Sequence, residues 1–136
     1  MKPSCTHVAL FCRDIEASVS FYAKHVGLKE VHRRTEHGMT VVWMGEEGRK
    51  DDFVIVMLGM APPGGNGAGA VAHLGYAVAS RKEVDAAARR AHSEGFDVQD
   101  PVYAGPVVGY YCMVKDPDGN WVEFSFGQAL GPAAHS

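Results

Sequence analysis

The stretch Lys115-Asp116-Pro117-Asp118-Gly119-Asn120-Trp121-Val122-Glu123-Phe124-Ser125-Phe126 joins a turn to a strand. Pro117 presets φ, the flanking aspartates bond nearby backbone N–H groups, and Gly119 tolerates positive φ. Aromatic and β-branched residues dominate Trp121 to Phe126. Period-two alternation puts Val122, Phe124 and Phe126 on one face and Trp121, Glu123 and Ser125 on the other. Glu123 thus stands in the middle of an otherwise apolar strand, where an unpaired charge is costly or stays protonated. It needs a partner.

The bulk properties narrow the choice. A chain of 136 residues with 46% hydrophobic content suits one domain with a real core. Its net charge of −3, with both signs scattered, provides no basic stripe for nucleic acid and no polybasic membrane patch. Apolar runs such as Phe53 to Leu58 are strand-sized, far below the roughly 20 residues of a membrane helix. Residues 1–7 lack the apolar region of a signal peptide, so a cytoplasmic protein is expected. Cys5, Cys12 and Cys112 form neither a disulfide framework nor a paired zinc motif and read as reduced thiols.

Along the chain, Thr6 to Phe11 reads as a strand. Asp14 is an N-cap, and Ile15, Val19, Tyr22 and Val26 recur at the helical period until Gly27. Leu28 to Arg34, Met39 to Met44 and Phe53 to Leu58 read as strands, completing β-α-β-β-β over residues 5–59. Residues 60–70 are too rich in Gly and Pro for regular structure and form a linker. The pattern then restarts over residues 71–127. Val71 to Val78 is a strand, Ser80 and Glu83 form a capping box, and Val84, Ala87, Ala88 and Ala91 mark a helix face ended by Gly95. Phe96 to Val102, Gly109 to Val114 and Trp121 to Phe126 are three more strands, and 128–136 is a tail.

His73 lies 66 positions after His7, and the residues following each correspond, so one unit occurs twice. Parity puts His7, Ala9 and Phe11 opposite the helix-facing Val8, Leu10 and Cys12; His73, Gly75 and Ala77 likewise oppose Leu74, Tyr76 and Val78. Two imidazoles and a carboxylate are a facial-triad ligand set, leaving open positions on a divalent metal. The expectation is that His7, His73 and Glu123 bind one ion. The plain alternative is that each His is a satisfied core or interface histidine and that Glu123 bonds a backbone or Arg group.

The residues His7-Val-Ala-Leu, Asp14-Ile15, Ser20-Phe21-Tyr22, Gly27-Leu28, His73-Leu-Gly-Tyr and Asp116-Pro-Asp-Gly-Asn-Trp-Val-Glu123 together resemble the vicinal oxygen chelate superfamily. Its members include glyoxalase I, bleomycin-resistance proteins, fosfomycin-resistance thiol transferases, methylmalonyl-CoA epimerase and extradiol dioxygenases. The resemblance spans about residues 5 to 127. It implies an α+β fold of two tandem βαβββ modules forming a cupped eight-stranded mixed sheet around a metal site, often in a homodimer with exchanged modules. His7, His73 and Glu123 fall on its ligand positions. It also implies one divalent ion (Fe, Mn, Ni, Co or Zn) and a small-molecule substrate.

The departures matter too. Glyoxalase I and the epimerase take a fourth ligand from the last strand of module one, where this chain has Ile55 or Val56, neither able to coordinate. Extradiol dioxygenases carry a Tyr three residues before the Asp-Pro pair; this chain has Met113, with Tyr110 and Tyr111 nearby. The basic, tyrosine-bearing end of the fosfomycin-resistance enzymes has no counterpart in residues 127–136. One scaffold hosts many chemistries, so the reaction stays open between a metalloenzyme and a metal-free sequestration protein of the bleomycin-resistance type. Trp121, Tyr111 and Tyr103 are the expected substrate-binding residues, with Tyr110 also flanking the cavity. His32, Arg33 and Arg34 read either as a cation source for an anionic substrate or as a solvated edge, while His25, His37, His92 and His135 are expected on surface or loops.

Overall fold

A computed structural model describes residues 5–61 and 73–128. The chain divides into two compact units at residue 70. The first contains β1 (His7–Phe11), α1 (Ile15–Phe21), a π-helical turn (Tyr22–Val26), β2 (Lys29–Glu36), β3 (Met39–Gly45) and β4 (Val54–Leu58). The second contains β5 (His73–Ala77), α2 (Arg81–Ser93), β6 (Val98–Tyr103), the single turn α3 (Gly105–Val108), β7 (Tyr110–Lys115) and β8 (Trp121–Phe126). Each unit forms a four-stranded mixed sheet, in the orders β1-β4-β3-β2 and β5-β8-β7-β6. The β1–β4 and β5–β8 pairs are parallel and the others antiparallel. The same βαβββ topology is therefore built twice. The expected linker lies outside the described residues from 62 onward, as do the tail from 129 and His135.

Local chemistry accounts for the helix starts. The Asp14 carboxylate accepts from Ala17 N at 3.1 Å, and the Ser80 hydroxyl accepts from Glu83 N at 3.2 Å. Glu83 reaches back to Ala79 N, one residue before the cap, in place of the Ser80 N–H of a strict capping box. Gly27 ends the first helical segment at φ +86°, where an L side chain would be strained. The turn before β8 is held by Asp116, whose buried carboxylate accepts from Asp118 N, Asn120 N and Asn120 Nδ2 at 2.8–3.0 Å.

One face of each sheet packs on its own helix. Leu10, Cys12, Val42, Met44, Ile55 and Met57 are buried with Phe21 and Tyr22 in the first unit. Cys112, Val114, Val122 and Phe124 are buried with Val84, Ala87, Ala88 and Ala91 in the second. His7, Ala9, His73, Gly75 and Ala77 are exposed, as parity predicts for the other face. His25 corrects the sequence expectation: it is buried and stacks on Phe21 at 4.7 Å, because Ser18, Phe21 and His25 make a second inward stripe at helical spacing.

Candidate functional site

In the second unit, cross-strand register arranges the helix-free face in rows. His73, Trp121 and Lys115 form the first row, Gly75, Glu123 and Met113 the second, and Ala77, Ser125 and Tyr111 the third. His73 and Glu123 are therefore diagonal neighbours on one face. Glu123 is only 6% exposed, yet it makes no hydrogen bond or ion pair among the described residues. Gly75 lies directly opposite, and a Cβ there would meet Glu123 Oε2 at 3.3 Å. A carboxylate on a largely buried residue, beside a position kept free of side chain, suits a cation. The Lys115 ammonium instead stacks over Trp121, 5.1 Å from the ring centroid.

The first unit repeats the lattice with different residues. His7, Val54 and Gly45 form its first row; Ala9, Val56, Trp43 and His32 the second; Phe11, Leu58, Val41 and Arg34 the third. Val56, not Ile55, occupies the place of Glu123. Its hydrocarbon side chain cannot coordinate. His7 Nδ1 lies 3.0 Å from the Thr6 hydroxyl; with Nδ1–H as the donor, the Nε2 lone pair is left for a metal. Around this face is a recess of about 610 Å³ whose lining includes His7, Ala9, Val56, Leu58, Trp43 and Arg34. Such a volume falls in the range of small-molecule sites, about 300–1,000 Å³.

Neither unit by itself holds all three expected ligands, since His7 is in the first and His73 and Glu123 are in the second. Among the described residues no group of three or more His, Cys, Asp or Glu side chains is gathered as a metal site. The donor set nevertheless suits a divalent ion: a carboxylate on a largely buried residue, without a partner among the described residues, a histidine on the same face, and a glycine that keeps the space open.

Of the expected substrate-binding residues, Trp121 and Tyr111 lie on the Glu123 face. Tyr103 does not. It pairs with Tyr110 across β6–β7, and the Arg81 guanidinium of α2 covers both rings, at 5.2 and 4.8 Å from their centroids. Tyr110 donates to Asp85 Oδ1 at 2.6 Å, and that bond to a carboxylate raises the phenol's pKa. The reason is a bulge in β6 between Gln99 and Val102, at Asp100-Pro101, which reverses the alternation before Tyr103. A bulge between Glu30 and His32 does the same in β2. It sends Arg33 to the helix side, where it pairs with Glu16 at 2.8 Å and Glu30 at 2.7 Å, and leaves His32 and Arg34 beside Trp43. Hydrogen bonds from Arg33 hold both carboxylates below the usual range.

Trp43, which lines the recess, is a candidate-site residue that sequence reasoning missed. Its signal was present: in Met39 to Gly45 it alternates against the buried Val42 and Met44.

Residues 4–124 match the Glyoxalase/Bleomycin resistance protein/Dioxygenase superfamily. The uncharacterized protein PA2024 of Pseudomonas aeruginosa is 40% identical over 136 residues, covering 100% of this chain and 97% of the relative. TnmS3, an antibiotic binding protein from Streptomyces sp. CB03234, has a similar structure with TM-score 0.69 and 20% identity, covering 92% of this chain and 96% of that one. A mutant of the fosfomycin resistance protein FosX from Listeria monocytogenes, complexed with Mn(II) and 1S,2S-dihydroxypropylphosphonic acid, is similar at TM-score 0.72 and 15% identity, covering 96% and 94% of the two chains. At these identities the structural likeness is one of fold.

Proposed function

Because the chain belongs to the Glyoxalase/Bleomycin resistance protein/Dioxygenase superfamily, we propose that it is a metalloenzyme acting on a small vicinal-oxygen substrate, with one divalent ion held by His7, His73 and Glu123. The observation that carries this reading is Glu123: buried, without a partner among the described residues, on the face of His73 and opposite Gly75. His7 comes from the same chain or, in a module-exchanged homodimer, from a second copy. In both arrangements the expected stoichiometry is one ion per chain.

When bound, the ion supplies Lewis-acid polarisation of the substrate oxygens. Glu123 and the two imidazoles hold it, and Trp121 and Tyr111 shape the face beside it. Fe, Mn, Ni, Co and Zn all suit this N/O donor set. Cys5, Cys12 and Cys112 form no disulfide among the described residues, which fits a reducing, cytoplasmic setting. No helix among the described residues is long and apolar enough to cross a membrane.

A second reading, sequestration of a small molecule without metal, is favoured by the largely carbon-lined recess in the first unit. Metal analysis of purified protein and of His73→Ala separates the two. One ion per chain in the parent and loss of it in the variant are expected. Metal-free protein whose melting temperature none of the five ions raises would leave sequestration, because binding to the folded state must stabilise it.

A further inference from the structure

Lys115 is the one lysine or arginine of the second unit outside α2, which carries Arg81, Lys82, Arg89 and Arg90 and packs on the opposite face of the sheet. Its parity against the buried Val114 puts it on the helix-free face, in the row of His73 and Trp121 and one row from Glu123. No acid lies within ion-pair distance of its ammonium among the described residues.

The backbone there is held on both sides. Lys115 N donates to Asp97 O at 2.9 Å, and the next residue is Asp116, whose buried carboxylate organises the turn. The Trp121 indole then holds the ammonium 5.1 Å from its ring centroid. An ammonium resting on a ring has given up part of its rotamer freedom before any ligand arrives, which favours binding. In the first unit the equivalent place, in the row of His7 and Val54, is Gly45. The charge therefore accompanies the carboxylate and is not a requirement of the fold.

Adjacent rows on one face are two residues, roughly 7 Å, apart along a strand. A cation one row from Glu123 is too far to share the two oxygens taken up beside that carboxylate. It is near enough to meet an anionic group a few bonds further along the same small molecule.

We propose that Lys115 is a specificity-determining residue: its ammonium, positioned by Trp121, takes a carboxylate or phosphonate that the substrate carries beside its vicinal oxygens. The inference rests on the reading above, in which His73 and Glu123 help to hold the ion that receives those oxygens. It narrows the substrate class to small acids.

Hydroxamates test this, because their two adjacent oxygens chelate divalent ions. Calorimetric titration of metal-loaded protein compares acetohydroxamate, succinic monohydroxamate with its free carboxylate, the neutral amide of that carboxylate, and the phosphonate analogue. The carboxylate or the phosphonate probe should bind about fivefold more tightly than the amide, and the anion with the larger gain identifies the group. Added salt should shrink the gain. Lys115→Met and Lys115→Gln should erase it while acetohydroxamate binding, metal content and melting temperature stay as in the parent. Lys115→Arg should keep most of it, and Trp121→Leu should reduce it without removing it.

Equal affinity of both acids and the amide for the metal-loaded parent would overturn the proposal and leave the metal site standing, as would a preference that survives both Lys115→Met and Lys115→Gln. Protein that takes up none of the five ions would sink the metalloenzyme reading, and this inference with it.

Discussion

The two modules fold alike and present unlike faces. Row for row, Val54, Val56 and Leu58 of β4 stand where Trp121, Glu123 and Ser125 stand in β8, and Trp43 stands where Met113 stands in β7. Each begins its face with a histidine, His7 or His73. The helix-facing positions of the inner strands remain apolar in both, because burial against α1 or α2 constrains them. The helix-free face is not packed on a helix, and there one unit carries a carbon-lined recess and the other a carboxylate. Shared topology is set by the packed side, and functional difference collects on the open one.

Exchanging residues between the modules tests that division. Glu123→Val gives the second module the first module's residue. Metal affinity should fall by more than the roughly 10- to 100-fold that loss of an outer-shell partner costs. The metal-free protein should at the same time become more stable, by up to about 1 kcal/mol, since a carboxylate on a largely buried residue, without a partner among the described residues, is removed. Denaturant melts with chelator present measure this, and a destabilised metal-free variant would mean that Glu123 is not an orphan.

The reverse exchange, Val56→Glu, should destabilise the metal-free protein by no more than about 1 kcal/mol, because Val56 is only half-buried and borders the recess. Added metal should recover part of that loss if the new carboxylate reaches the ion. Differential scanning calorimetry with and without metal reads both effects.

On the packed side, Cys112 stands where the first module has Val42. Burial pushes the Cys112 thiol up from 9.0 to about 11, with the charge of Glu123 adding a smaller push. A folded value above the unfolded one means that the contribution to stability is full below pH 9 and is lost as pH rises through about 11. Cys112→Val should remove an alkaline loss on the order of 2 kcal/mol, seen as a flatter melting temperature across that window.

The smallest expected effects are at the helix caps, which lie 66 positions apart like the histidines. Asp14→Ala and Ser80→Ala should each cost about 1 kcal/mol. Ala17→Glu, which would give α1 the reciprocal acid that Glu83 provides for α2, should return a few tenths of a kcal/mol.

Local rules made much of this legible. Caps at Asp14 and Ser80, the turn at Asp116 to Asn120 and the alternation of β1, β5 and β8 depend on neighbours a few positions away. Tyr103 shows where such rules stop. Strict alternation along β6 puts it with Gln99 on the Glu123 side, but the bulge at Asp100-Pro101 reverses it onto Arg81. The matching bulge in β2 separates Arg33 from Arg34, which sequence alone treats as one basic patch.

The sequence by itself determined the repeat, the βαβββ order, the partition of each strand without a bulge into two faces, and the isolation of Glu123 in apolar company. Hydrophobic period and turn chemistry are written in consecutive residues, so they need no fold to be read. Only the tertiary structure decided that Val56 rather than Ile55 stands in the row of Ala9, that Gly75 faces Glu123, and that Trp43 walls a recess. Each of those depends on which residue of a distant strand lies across the hydrogen-bond ladder, and a shift of one residue in that register would send every side chain to the opposite face.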